Sequence, residues 1–296
     1  MEKINLEDYV YTGEGANGIS YASRSNPYEM LKIYNAGYPV GNVVEELENA
    51  RKLYGIGVPT PEPGVLVTDG ERVGIRFRRI VGKRSYARML ADEPERIDEL
   101  SRELAREYKK FHSIIPPEGL FNNVKEQYLR MLEADRSLTA DEHEKMAGII
   151  AGMPDGQTML HGDMHLGNAI STLPEGAALE SPHDIYFIDL QDVACGYPLF
   201  DFGMLHIMCH VSEEDFRVHD YHITGAQASR VWDSFIDEYF FSDDCLAERF
   251  FGPGQTPESV TEAIIPYTCI KCLLIGFNLD GIIPAHYVKY MRRNVL

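Results

Sequence analysis

The chain has 296 residues, 44% of them hydrophobic and 25% charged, with a formal net charge of −18, a globular composition with material for one large core or two ordinary ones. That charge excludes a broad phosphate-neutralising surface, so nucleic acid is not an expected partner. No apolar run approaches the roughly 18 residues that span a bilayer, the N-terminal MEKINLEDYVYTG lacks an apolar signal core, and five cysteines without framework spacing suit a reducing compartment; a cytoplasmic protein with no membrane partner is expected.

In chain order, DYVYTG and GISYAS read as two short strands around a glycine-rich turn, and YEMLKIYN alternates like a half-buried strand. PVGNVVEELENARKLYGIG has helical periodicity and a glycine stop, and VPTPEPG is a proline-punctuated connector. GVLVT and RVGIRFRRI, joined at Asp69-Gly70, read as a hairpin, and VGKRS as a linker. To about Ala151 the chain then reads as helical, through DELSRELAREYKKFHSII, NNVKEQYLRMLEAD and TADEHEKMAGIIAGM. Two short strands are expected within 157–188, and helices from Tyr197 to the end. The implied organisation is a small β-rich lobe over residues 1–82 and a larger, mainly helical lobe over 83–296. Charge divides similarly: residues 1–84 hold 11 acids and 11 bases, residues 85–296 hold 35 and 17. This suits an anionic ligand in the first part and a cationic one in the second, or an acidic surface kept for solubility.

Four features carry chemistry. Gly13-Glu14-Gly15-Ala16-Asn17-Gly18 fits GxGxxG, but between two strands rather than before a helix, the setting of a loop folded over nucleotide phosphates. Lys32 interrupts the apolar strand MLKIY; a buried ammonium needs a partner, and the next helix offers Glu45, Glu46 and Glu48. In MLHGDMHLGNAI, Asp163 and Asn168 stand five apart on one loop. A carboxylate there can orient an acceptor hydroxyl and take its proton, and an amide carbonyl can hold a hard cation. His161 and His165 lack the cysteines or carboxylates at metal spacing that zinc would require. Fourth, FIDLQDVACGYPLFDFG offers two aspartates, Asp189 after an apolar run and Asp201 in a literal Asp-Phe-Gly.

HGDMHLGN followed by FIDLQD resembles the aminoglycoside phosphotransferase and choline kinase family. The resemblance runs from Gly13 to about Asp201, the remainder matching only as a helical tail. It implies an α+β, bilobal protein-kinase-like fold and a kinase acting on a small-molecule hydroxyl, with ATP or GTP and Mg²⁺ as cofactors. It further implies that Asp163 is the catalytic base, that Asn168 and the principal ligand Asp189 hold magnesium, and that His161 braces the loop. Gly13, Gly15, Gly18 and Lys32 would hold the phosphates. Counting back from GVPTP favours Glu46 as the partner of Lys32. Asp201, after Gly-x-Pro, would accept hydrogen bonds from catalytic-loop amides instead of binding metal.

Eleven residues separate Asp189 from Asp201, position 162 is glycine, and no Ala-Pro-Glu follows. These argue against a protein kinase. The acidic second part favours a cationic acceptor, such as an aminoglycoside or amino alcohol; a sugar or nucleoside-type acceptor, or a nucleotide-binding regulatory module, is the alternative. His206, Cys209 and His210 share one helical face, with His219 and His222 following, and read as a packed helix of the large lobe rather than a metal site. Cys269-Ile-Lys-Cys272 reads as core, and Glu213-Glu214-Asp215 as a solvated loop that could meet amines.

Overall fold

The computed structural model describes residues 1–15, 17–242 and 245–296; Ala16, within the expected glycine turn, lies outside the described residues. In chain order the elements are β1 (Glu2–Lys3), β2 (Tyr9–Gly15), β3 (Gly18–Ser23), β4 (Glu29–Tyr34), α1 (Val40–Gly55), β5 (Pro63–Thr68), β6 (Val73–Arg78), β7 (Arg84–Ser85), α2 (Tyr86–Asp92), α3 (Ile97–Phe111), α4 (Val124–Ala134), α5 (Ala140–Gly152) and β8 (Thr158–Leu160). There follow β9 (Ala169–Ser171), β10 (Ile185–Phe187), β11 (Ala194–Gly196), α6 (Leu199–His206), α7 (Glu214–Tyr221), α8 (Gly225–Phe241), α9 (Leu246–Phe251), α10 (Pro257–Phe277) and α11 (Ala285–Asn294). The stretch VGKRS, read as a linker, supplies β7, and α6 runs on through a π-helical turn at Ile207–Val211.

The chain forms two compact units. The first comprises Met1–Ser85 and Asn168–Asp192, the second Tyr86–Gly167 and Val193–Leu296.

In the first unit a six-stranded sheet has the order β1-β5-β6-β4-β3-β2. Alternation along β4 sends Leu31 and Ile33 to one face, with Tyr9 and Val67. Tyr34 turns to the other face and packs against Val43 and Leu47 of α1 and Ile75 of β6. Lys32 lies on the face that α1 covers, which explains why that helix can supply a partner. The glycine motif straddles the β2–β3 hairpin, with Gly15 opposite Gly18. A Cβ at Gly18 would come within 2.5 Å of the Ile33 carbonyl, whereas one at Gly13 or Gly15 would meet nothing within 4 Å. Strand packing therefore demands glycine at 18 but not at 13 or 15. A second sheet, β10-β9-β7, joins Ile185–Phe187 to Ala169–Ser171 and the latter to Arg84–Ser85.

The second unit is built on α3, whose buried Ile97, Leu100, Leu104, Ala105, Tyr108 and Phe111 recur at helical spacing. It packs on α8, which buries Val231, Trp232, Phe235, Ile236 and Tyr239. Each large side chain so buried contributes about 1.5–3 kcal/mol. Phe202 of α6 meets Tyr239 edge-on at 4.8 Å, extending the aromatic core. His206 packs against the His210 and Trp232 rings, and burial pushes its imidazole down to about 3, so it is neutral at physiological pH.

One helix departs from the expectation drawn from apolar runs. At 21 residues and mean hydropathy 1.5, α10 is long and apolar enough to cross a membrane by length and composition. Charged residues, Lys271 among them, break the run by eye without lowering the mean enough. The packing is that of a core helix, with 61% of the apolar window buried.

Helix α6 approaches α10 at Gly203, where an added Cβ would stand 2.7 Å from the Tyr267 carbonyl. Gly203→Ala is therefore expected to lower stability by about 1–3 kcal/mol. Gly148→Ala, in α5 with open space around the new methyl, should raise it by up to about 1 kcal/mol. Thermal unfolding of both variants decides this; equal melting temperatures would sink the packing argument.

Candidate active site

In the first unit, three segments far apart in sequence meet at Lys32. Its Nζ donates to Glu46 Oε1 and to Asp189 Oδ1, each at 2.8 Å. Glu46, rather than Glu45 or Glu48, is the α1 carboxylate that reaches it. Burial alone would favour the neutral amine, but the charges of Asp189 and Glu46 outweigh it and push the Lys32 pKa well above its ordinary value. The lysine is therefore a fixed cation, and it also lies 5.0 Å from the centre of the Tyr34 ring.

Asp189 adopts φ 59°, a left-handed backbone rare outside glycine and costing about 1–3 kcal/mol. Neighbours hold this turn on both sides. The Ile188 amide donates to the Asn168 carbonyl at 2.9 Å. Gln191 receives the Tyr38 hydroxyl at 2.7 Å, and its own carbonyl receives Asn49 Nδ2 at 3.3 Å. The β9–β10 ladder thus sets Asn168 beside the residue that precedes Asp189. Lys32 contributes one positive charge against two carboxylates, and the Asp189 side chain remains 40% exposed. Burial raises the Glu46 pKa, so the hard oxygen donors open to solvent are those of Asp189, and they fit a divalent cation such as Mg²⁺. Among the described residues no three His, Cys, Asp or Glu side chains gather as a metal site.

In the second unit, the loop after β8 is wired through its own backbone. Asp201, on the first turn of α6, accepts the His161 amide on Oδ2 at 2.7 Å and the Gly162 amide on Oδ1 at 2.8 Å. His112 Nε2–H donates to the same carboxylate at 2.9 Å, and its Nδ1 faces the Tyr239 hydroxyl at 2.7 Å. A carboxylate only accepts, so the ring proton must lie on Nε2. Burial opposes ionisation of Asp201, but His112, His161 and the loop amide hold its carboxyl below the usual range. With three donors on it and 1% of its side chain exposed, Asp201 has no open face for a metal ion.

Gly162 has φ +79°, a turn that any side chain would strain. Its amide goes to Asp201 and its carbonyl receives the ammonium of Lys271 from α10. Asp163 follows, with His165 Nε2 3.4 Å from Oδ2 and Lys271 Nζ 3.8 Å from Oδ1. The Gly167 amide donates to His165 Nδ1 at 3.0 Å, which leaves the Nε2 proton directed at Asp163. His161 Nδ1 receives the Asp163 amide at 3.3 Å. Burial works against the Asp163 anion, yet His165, Lys271 and His161 outweigh it and hold the carboxyl far below its ordinary pKa. Such a group is an anionic hydrogen-bond acceptor at every physiological pH.

Of the acidic cluster on α7, Glu214 is engaged by Arg217 at 2.6 Å and by the Gly225 amide at 3.0 Å. These contacts tie Glu214 to its own helix and to the start of α8. Sequence reasoning did not single out His112, Tyr239 or Lys271. Only Lys271 carried a signal, a lysine in an apolar helical run, and that signal was hidden inside a Cys-x-x-Cys pattern.

The phosphotransferase enzyme family (APH) has a model that matches residues 25–235. The chain belongs to this family. Its members' match begins after the glycine hairpin and ends before α9, so Gly13, Gly15, Gly18 and Lys271 lie outside it. A search of curated proteins finds no match to the sequence. Solved structures share the fold. Among them are aminoglycoside-3'-phosphotransferase of type VIII (16% identity over 91% of this chain and 94% of that one, TM-score 0.56) and the GDP and kanamycin complex of APH(2")-IIia (13%, 98% and 94%, 0.55). A choline/ethanolamine kinase family protein from Mesorhizobium loti also matches (16%, 95% and 89%, 0.51). At these identities the likeness is one of fold: the α+β, protein-kinase-like arrangement of a β-rich N-terminal part and a larger helical remainder.

The Asp201 hub generates a stability test. Asp201→Asn places an amide donor against backbone donors and is expected to lower stability at pH 7 by about 2–4 kcal/mol. Because the folded pKa of Asp201 is depressed, its contribution is present above the unfolded value near 3.9 and is lost as pH falls through the folded one. Urea midpoints of wild type and variant should therefore converge below about pH 4; a constant gap down to pH 3 would refute the charged-hub account.

Proposed function

We propose that this phosphotransferase is a Mg²⁺- and ATP-dependent kinase that phosphorylates a hydroxyl group of a small, cationic molecule. The observation that carries the reading is Lys32, a permanently charged lysine fixed between Glu46 and a strained, solvent-accessible Asp189. A structural ion pair needs one carboxylate and no strained turn; a phosphate-binding lysine beside a metal-holding aspartate accounts for both. Residues 1–82 form the nucleotide-binding lobe in this reading, and residues 83–296 the catalytic and substrate-binding lobe.

Gly13 and Gly15 leave room over the β2–β3 hairpin for phosphates to approach the backbone, space that the protein's own packing does not use. Lys32 binds the α- and β-phosphates, and Glu46 keeps its ammonium aimed. Asn168 and Asp189 hold the metal, which when bound supplies positive charge to the phosphate oxygens. Asp163 accepts a hydrogen bond from the acceptor hydroxyl, aligns its oxygen with the γ-phosphorus and takes the proton as the new P–O bond forms and the bond from phosphorus to the β,γ-bridging oxygen breaks, ADP leaving with that electron pair. A carboxyl with so low a pKa is a weak base, so orientation is its larger contribution, as suits a loose transition state. His161 and Asp201 keep the loop in shape.

A cationic acceptor, an aminoglycoside or an amino alcohol, is supported by the 35 acids of residues 85–296. Solved relatives in fold are named as an aminoglycoside phosphotransferase with GDP and kanamycin and as a choline/ethanolamine kinase family protein. Five free cysteines, Cys195, Cys209, Cys245, Cys269 and Cys272, suit a cytoplasmic setting.

Asp163→Asn is expected to lower turnover by about a thousandfold or more while ATP affinity, measured by calorimetry, changes by less than about threefold. Loss of nucleotide binding in that variant would contradict the role given to Asp163. The acceptor is found by a phosphate-transfer screen with ATP and GTP against kanamycin, streptomycin, choline, ethanolamine and simple sugars. Transfer to sugars alone would overturn the cationic acceptor, and no transfer to any of them would overturn the small-molecule reading.

A further inference from the structure

Lys271 is the most costly side chain in the second unit for which the proposed reaction has so far given no use. It sits in the middle of α10, is 1% exposed, and has Cys269, Ile270, Cys272, Leu273 and Leu274 around it in sequence, each no more than 3% exposed. A leucine at this position would be buried with no desolvation penalty, whereas an ammonium costs several kcal/mol unless it is met. What meets it is the loop of Asp163. Its Nζ donates to the Gly162 carbonyl and stands 3.8 Å from Asp163 Oδ1. Among the described residues that carbonyl is the acceptor within hydrogen-bond distance, and Asp163 supplies the neighbouring carboxylate.

The geometry points to Lys271 as a positioning residue for Asp163, acting from a helix outside the segment that the family match covers. This rests on the reading of Asp163 as the residue that orients the acceptor. The Gly162 peptide is clamped at both ends: its N–H by Asp201, its C=O by Lys271. With φ +79° at Gly162, these two contacts fix the plane from which Asp163 departs. The ammonium then draws Oδ1 toward α10, and His165 lies beside Oδ2. Two cationic or donor groups at distinct oxygens restrict the rotamer of the carboxylate that, in this reading, meets the acceptor hydroxyl. A neutral side chain ending in an N–H could still donate to Gly162 but would release Oδ1.

The test uses Lys271→Gln, which keeps a donor for Gly162 and removes the charge, together with Lys271→Met and Lys271→Arg. The probe is Mg²⁺-ATP with water as acceptor, followed as ADP release. Lys271→Gln and Lys271→Met should lower kcat about 10- to 100-fold with KM for ATP within about threefold, and Lys271→Arg should recover most of that loss. A lysine that only held the fold would lower the melting temperature and leave kcat per folded molecule unchanged; that result overturns the proposal. A second measurement is independent of activity. Urea midpoints of wild type, Lys271→Gln, Asp163→Asn and the double variant form a cycle, in which the two effects should fail to add because each removes the other's partner. Additivity overturns the proposal. Coupling in a protein that releases no ADP overturns the kinase reading and leaves the Lys271–Asp163 pairing standing.

Discussion

A lysine ammonium cannot be taken out of water alone, and the first unit is organised around that constraint at Lys32. The alternation that buries Leu31 and Ile33 places Lys32 on the face covered by α1. From there its side chain can be satisfied by Glu46 and by Asp189, 157 positions away in the chain. One hydrophobic strand thus fixes the rotation of a helix and the end of a distant hairpin. Replacing the lysine by a leucine would pack well and leave Glu46, nearly fully buried, as an uncompensated carboxylate. Electrostatics and packing cannot be varied separately here.

The same logic recurs in the second unit in a different form. There the organising charge is negative: Asp201, buried on the first turn of α6, gathers two loop amides and the His112–Tyr239 pair. A buried carboxylate with three donors is well satisfied, and the loop it holds has little freedom. Asp163 inherits its backbone position from that hub and its side-chain surroundings from His165 and Lys271. Positive φ at Asp189 shows a segment held in a backbone shape that a non-glycine residue seldom adopts, and at Gly162 the turn is one that glycine alone takes without strain. In each case the compensating contacts come from elements remote in sequence.

Much of this was legible before any coordinates. Lys32 declared itself as a charge inside an apolar strand, and the count from the proline connector favoured Glu46. The longer strands and helices of the first 151 residues carried enough periodicity to be read; β7 and β11 did not, and 157–188 holds three strands where two were expected, because two or three residues have no period. Nor could pattern alone show that Asn168–Asp192 clusters with residues 1–85. That follows from β9 pairing with β7 across more than eighty positions. Lys271 was visible in principle by the argument that picked out Lys32, but its flanking cysteines suggested a different question. His112 had no signal: a histidine after the last turn of an amphipathic helix is ordinary until its neighbours are known.

The two aspartates of FIDLQDVACGYPLFDFG show how identity is decided by surroundings. Asp201 belongs to the literal Asp-Phe-Gly, yet its oxygens already hold three N–H donors and its side chain is 1% exposed. A cation there would have to displace two backbone amides, each then left buried without an acceptor, a loss of about 1–3 kcal/mol apiece. Asp189 has one oxygen on Lys32, a side chain 40% exposed, and a strained backbone that anchors it beside Asn168. A divalent ion meeting the exposed side of that group would displace no backbone amide. The physical difference between a carboxylate that is saturated and one that is underused is why the proposed metal ligand is Asp189 and not Asp201.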